Sequence, residues 1–231
     1  MWRVYSFLAL ELLKTQSAPD DERGEDALID ALRTGDESAF AALVRGHGGP
    51  MLRVAASICG DEALAQEVVQ ETWVAVLEGL DGFEGRSTLK TWIFSVLVRR
   101  AASAVERESR SVPFSSLARA EAEAGEPSVE IERFLPADDT RWPHHWASPP
   151  RPWGPSERLD SSEVREEIES AVEDLPRMQR AVIRLRDLTG FTAAETCGML
   201  ELSEGNQRVL LHRARSLVRR RLERYFAGEG R

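Results

Sequence analysis

Residues 61–110 leave this chain little choice of fold. An acidic amphipathic segment, a glycine-bracketed turn and a basic segment follow one another with no strand pattern. In DEALAQEVVQETWVAVLEGL, Ala65, Val69, Trp73, Val76 and Leu80 recur at spacings of four, four, three and four, one stripe of an α-helix. Gly60 can stop the helix before it and Asp61 can cap this one. Glu67, Gln70, Glu71, Val74 and Glu78 fall on another face, which is carboxylate-rich and solvated unless a partner covers it. Gly82 and Gly85 bracket the turn, and Ser87 is the expected N-cap of a second helix. Trp92 to Val98 is apolar almost all round and belongs at the centre of a bundle. Lys90, Arg99, Arg100, Arg107 and Arg110 give that helix a basic outer surface. An acidic docking face beside a basic, aromatic one fits a bridge between a protein and a nucleic acid.

Charge is segregated in the same way along the whole chain. The 231 residues carry a net −9, which by itself argues against nucleic acid. Residues 20–85 hold fifteen acidic side chains against four basic ones, and 111–175 hold fifteen against six. Residues 86–110 reverse this with six basic against two acidic, and 176–226 with eleven against five. Sign asymmetry of this kind says more than the total.

Before residue 61, a short helix is expected from Glu25 to Leu32 with Leu28 and Leu32 inward. Asp36 can cap the next, whose apolar face is Phe40, Leu43 and Val44. The GHGGP stretch at 46–50 should kink or interrupt it before the pattern resumes at Met51, Val54, Ala55 and Ile58. His47 lies there with no metal-ligand partner nearby, and reads as a surface histidine. The N-terminal MWRVYSFLALELLKTQS has a charged start and a short apolar run. Glu11 interrupts the run, no small-x-small cleavage site follows, and the run is too short to span a bilayer. No membrane insertion is expected, and 1–24 reads as an N-terminal extension.

Residues 111–155 form an acidic linker whose prolines exclude a helix between 143 and 155. It holds Trp142, Trp146 and Trp153, half of the tryptophans, more aromatic surface than a tether needs. Cys59 and Cys197 have no CxxC or CxxH neighbours, so a zinc site or disulfide framework is not expected and both read as small buried hydrophobes. A phosphate-binding glycine loop, an HExxH pair and a nucleophile elbow are all missing from the sequence. No catalytic residue, metal or cofactor is assigned, and the chain is not expected to be an enzyme.

The second unit, 156–226, opens with an amphipathic helix that turns Val164, Ile168, Ala171, Val172 and Leu175 inward. Pro176 suits the first turn of the next, where Ala181, Val182, Leu185 and Leu188 continue the core. TGFTAAETCGMLELSEGNQRVLLHRARSLVRRRLERYF then reads as helix, turn, helix. Thr192 caps the first and Ser203 the second. Leu211, Ala214, Val218 and Leu222 hold the second helix to the core, while Arg208, Arg213, Arg215, Arg219 and Arg220 point outward. Such a motif lays the start of its second helix in the major groove.

Two stretches carry a family resemblance. EVVQETWVAVL at 67–77 with FEGRSTLKTWIFSVLVRRA at 83–101 resembles region 2 of the bacterial sigma factors. LPRMQRAVIRLRDLTGFTAAETCGMLELSEGNQRVLLHRARSLVRRRL resembles region 4. With nothing like regions 1 or 3, the layout is similar to the extracytoplasmic-function (ECF) branch of the sigma-70 family. The resemblance implies an all-α fold of two small helical domains, 25–110 and 156–226, joined by a long irregular linker. It implies a cytoplasmic initiation factor that binds core RNA polymerase at its clamp helices and flap, recognises promoter DNA and promotes its opening. Glu67, Gln70, Glu71, Val74 and Glu78 would meet the polymerase. Phe83, Arg86, Ser87, Lys90, Trp92, Arg99 and Arg100 would hold the −10 element. Ser203, Glu204, Asn206, Gln207, Arg208, His212, Arg213 and Arg215 would read or grip the −35 element. An anti-sigma factor is a further candidate partner. A stand-alone helix-turn-helix regulator would explain 176–226 but leave 61–110 without a purpose, and a helical adaptor would leave the segregated arginines without one.

Overall fold

A computed structural model describes residues 22–109, 120–121 and 162–227. The N-terminal arm as far as residue 21, and the linker apart from Ala120 and Glu121, lie outside the described residues, and with them the linker tryptophans. Every regular element among the described residues is a helix, with no strand among them.

Helix α1 (Glu22–Arg33) starts slightly before the expected Glu25 and buries Ile29 and Leu32. Asp36 caps α2 (Glu37–Cys59), accepting from the Ser38 and Ala39 amides at 2.8 and 3.2 Å. The Ser38 hydroxyl and these two amides hold the Asp36 carboxyl below its ordinary pKa. The expected interruption at 46–50 does not occur, and α2 runs unbroken through Pro50. The proline and three glycines together cost roughly 5 kcal/mol of helix stability. Met51, Val54 and Ile58, all within 1% of full burial, and buried Leu43 lie on the same helix, each stabilising by roughly 1.5–3 kcal/mol. Packing therefore wins over local preference. His47 is half-buried, edge-on to Phe94 with ring centroids 6.3 Å apart, and not a free surface histidine.

Asp61 caps α3 (Glu62–Gly79) by accepting from the Leu64 amide at 2.8 Å. Trp73 is buried and meets Phe40 edge-on at 5.8 Å. A 3₁₀ turn (Leu80–Gly82) leads to α4 (Leu89–Ser109). Thr88, not Ser87, caps α4: its hydroxyl accepts from the Thr91 amide at 3.1 Å, and the Ser87 side chain stays outside. Ile93, Phe94 and Leu97 are fully buried where α2, α3 and α4 meet.

The second half begins with α5 (Ser162–Glu173), and Pro176 stands at the cap of α6 (Arg177–Ile183), one position before the expected first turn. A single π-helical turn (Arg184–Leu188) follows, closed by the Thr189 amide on the Arg184 carbonyl at 2.8 Å. It turns two charged side chains inward. Arg184, 1% exposed, pairs with Glu169 at 3.0 Å and with Glu173. Asp187, 8% exposed, faces the last helix. Helix α7 (Ala193–Leu200) opens on a reciprocal cap between Thr192 and Glu195 and ends at Glu201, whose φ of 53° makes the tight turn. Ser203 then caps α8 (Glu204–Ala227), accepting from the Asn206 amide at 3.2 Å.

The two halves are not held apart. Helix α7 packs on α4 and α6 on α2, and one hydrophobic core runs from Ile29 to Leu222 through both. Cys59 is buried as expected, whereas Cys197 is only partly so. No described helix is long and apolar enough to cross a membrane.

Candidate nucleic-acid interface

The face of α3 turned away from the core carries Glu67, Gln70 and Glu78, all exposed. Val74 is 55% exposed and lies among them. So does Leu77, 48% exposed, which was not among the expected contacts. Leu77 sits three residues after Val74 and off the core stripe, which is the signal that could have found it. The result is an apolar pair flanked by carboxylates, arranged for a partner that is apolar at the centre and basic at the rim. Glu71 lies at the edge of this face toward α4. It is half-buried and holds Arg100 at 3.2 Å.

Beyond that pair, Val96, Arg99, Arg100, Ser103 and Arg107 of α4 line, with Glu71, an open groove of about 560 Å³. Arg99 is exposed there, its Nε donating to the Ser95 carbonyl at 3.0 Å. The turn before α4 presents Arg86, 86% exposed and only loosely tied to Glu84, and exposed Ser87. Phe83 is buried and serves as the floor on which Trp92 rests, their ring centroids 5.1 Å apart. Trp92 is half-buried, its ring also within 3.5 Å of where a side chain on Gly79 would begin. Lys90 reaches across to the second half, donating to the Thr189 carbonyl at 2.9 Å and lying 5.2 Å from the centre of the Phe191 ring. The expected −10 residues thus form a surface of Arg86, Ser87, Trp92 and Arg99, with Phe83 beneath it and Lys90 and Arg100 engaged elsewhere.

On α8 the turn and caps place Ser203, Glu204, Arg208 and His212 at the surface. Val209, 39% exposed, lies between the last two. Asn206 is half-buried, and Gln207 is inward, 4% exposed, with no partner for its amide nitrogen among the described residues. Gln207 is therefore not placed to read a base. Arg213 donates to the Glu121 carbonyl at 2.5 Å, and the Glu121 carboxylate accepts from the Met178 and Gln179 amides. Burial raises the Glu121 pKa, these amides and nearby arginines opposing it only in part. Arg215, expected outward, folds back onto Asp187 in two hydrogen bonds of 2.7 and 2.6 Å, which raise its pKa against the opposing effect of burial. The π turn that brings Asp187 into reach has no marker in the sequence.

Two helical lobes, one with an acidic-apolar face beside an arginine groove and the other with a capped helix-turn-helix, have the form of a helical DNA-binding protein. Comparison with known proteins agrees. Residues 43–111 match the family model for sigma-70 region 2, and residues 165–218 that for sigma-70 region 4. The ECF RNA polymerase sigma-E factors of Escherichia coli K12 and Salmonella typhimurium LT2 are each 24% identical over 196 residues, covering 84% of this chain and 92% of theirs. That of Haemophilus influenzae is 21% identical over 199 residues, covering 86% of this chain and 95% of its own. Among solved structures, CnrH in complex with the cytosolic domain of CnrY aligns with 20% identity and a TM-score of 0.47, over 84% of this chain and 94% of that one.

The chain belongs to the sigma-70 family, as an RNA polymerase sigma factor of the ECF type that recognises promoters.

Proposed function

We propose that α3 docks this factor on the clamp helices of core RNA polymerase through Glu67, Gln70, Val74, Leu77 and Glu78. The observation that carries this is the exposure of Val74 and Leu77 between the exposed carboxylates Glu67 and Glu78. An apolar centre supplies affinity and the rim charge supplies a fast, salt-sensitive encounter. Beside it, Arg86, Ser87, Trp92 and Arg99, joined by Lys90 and Arg100 once released, hold the opened −10 strand, since a single strand needs cations for its backbone and a flat ring for a base. Arg208, Val209 and His212 meet the −35 bases, and Arg213 and the exposed Arg220 the phosphates. The factor itself performs no chemistry, and its working place is the cytoplasm with the polymerase. The domain limits follow the same reading: 25–110 for −10 and core binding, 156–226 for −35 and flap contacts, with 111–155 between them. An anti-sigma factor would act by covering the α3 face.

Glu67→Lys with Glu78→Lys tests the docking without disturbing the Glu71–Arg100 pair. Affinity for core polymerase is expected to fall by about tenfold or more, with a weakened salt dependence and unchanged helicity. Unchanged affinity would place the polymerase contact elsewhere.

A further inference from the structure

Helix α1 presents none of the residues assigned above to polymerase or DNA, yet it grips the turn between α3 and α4 at both ends. Residues 83–88 of that turn form no regular element, and 84–88 are all exposed. Gly85 takes a φ of 67°, which reverses the chain there. The Arg33 guanidinium, in the last turn of α1, donates to the Phe83 carbonyl at 2.9 Å and, more loosely, to the Leu80 carbonyl at 3.5 Å. Glu25, near the start of the same helix, accepts the Leu89 amide in its carboxylate. That amide opens α4 and has no acceptor within the helix itself. The Thr88 hydroxyl already takes the Thr91 amide. Helix α4 thus has one local cap and one supplied from 64 residues away.

These are bonds from a cation to carbonyls and from an amide to a carboxylate, stronger than neutral ones. A carboxylate at a helix N-terminus is favoured by the helix dipole as well. The rival partner of Arg33 is exposed Asp30, 3.9 Å away, and a pair in water at that distance is worth little. Its guanidinium is therefore committed to the turn. Glu25 and Arg33 stand eight residues apart, ~12 Å along a helix that rises ~1.5 Å per residue, so α1 acts as a rigid spacer between the two ends. What the turn carries is exposed Arg86 and Ser87, with buried Phe83 beneath Trp92 at a ring separation of 5.1 Å. Moving the Phe83 carbonyl moves the floor on which Trp92 rests.

We propose that Arg33 and Glu25 are positioning residues for promoter opening: from α1 they hold the 83–88 turn in the shape that sets Arg86 and Ser87 beside Trp92. This rests on the −10 reading given above. Neither residue touches DNA in this account. They act through the turn.

The test uses the full-length chain with Arg33→Met, which keeps the side-chain length and removes the donors, and with Glu25→Ala. Glu25→Gln, which keeps an acceptor oxygen, is the conservative control. Order in the turn is read on the free chain by brief trypsin treatment, with cleavage of the Arg86–Ser87 bond followed by peptide mass spectrometry. Cleavage after Arg53, inside α2, reports general loosening. Opening is read with core polymerase as permanganate reactivity of thymines near −10, on a promoter that the wild-type holoenzyme transcribes. Arg33→Met and Glu25→Ala are expected to speed cleavage after Arg86 about tenfold, one charge-assisted hydrogen bond being enough for such a factor. Opening should fall by a similar factor at unchanged affinity for core, with Glu25→Gln close to wild type and cleavage after Arg53 unaltered. Should Arg33→Met lose the fold, Glu25→Ala against Glu25→Gln carries the test. Unchanged cleavage after Arg86, or a rise matched by that after Arg53, would overturn the positioning role. Faster cleavage after Arg86 with wild-type opening would leave the grip of α1 standing and remove the turn from the −10 surface.

Discussion

Arg215 shows how a charge that reads as a DNA contact can be committed to the fold instead. Its position on α8 matches an outward register, yet its guanidinium is turned onto Asp187, a carboxylate that the π turn has buried. Removing one partner of such a pair leaves the other uncompensated, at a cost of about 3 kcal/mol. Arg215→Ala is therefore expected to lower the thermal midpoint of the second lobe. It should leave the salt dependence of promoter binding unchanged, whereas loss of a phosphate contact would reduce that slope by about one. Calorimetry and a salt titration of binding distinguish these outcomes. A stable variant with a flatter salt slope would return Arg215 to the DNA surface. Arg184 is bound into the fold in the same way, fully buried against Glu169 and Glu173. Neither pairing shows in the sequence, because each depends on one extra residue in a helical turn.

At the scale of elements, periodicity carried most of the fold. The stripes on α5 and α8 are buried at Val164, Ile168, Ala171, Val172, Leu211, Ala214, Val218 and Leu222, as is Leu175 just after α5, all as expected. The caps at Asp36, Asp61, Thr192 and Ser203 also match their sequence signals. The misses have local causes. Helix α2 continues through Pro50 because burial on both sides of it outweighs the lost hydrogen bond, and no local rule sees that burial. Ser87 yields the cap to Thr88 because both are good capping residues and only the register of Leu89 in the core decides. For the site, the acidic face was legible, and Leu77 was missed although its place off the core stripe, three residues after Val74, marked it in the sequence. Gln207 marks the register of α8. Buried, with no partner for its amide nitrogen among the described residues, it is turned away from the exposed start of the helix. Gln207→Leu is expected to stabilise the lobe by about 1 kcal/mol and to leave the −35 preference unchanged. A shifted preference in a selection from randomised promoters would show that the helix turns Gln207 to the groove.

On the scale of the whole molecule, segregated charge and paired lobes fit a sigma factor that recognises promoters. The acidic α3 face, the arginine groove along α4 and the exposed start of α8 are three separate surfaces of different charge. Their packing into one body with a shared core was beyond what the sequence showed, because the contacts that join the lobes, Lys90 to Thr189, Thr91 to Glu195 and Phe94 to Phe191 among them, come from segments far apart in the chain. The most direct measurement is reconstituted transcription: core RNA polymerase with and without the full-length chain, on a library of genomic fragments from the same bacterium, with the 5′ ends of the transcripts sequenced. A sigma factor produces a discrete set of start sites absent with core alone, sharing sequence elements near −10 and −35, and Glu67→Lys with Glu78→Lys removes them. Transcripts identical with and without the chain would contradict the account.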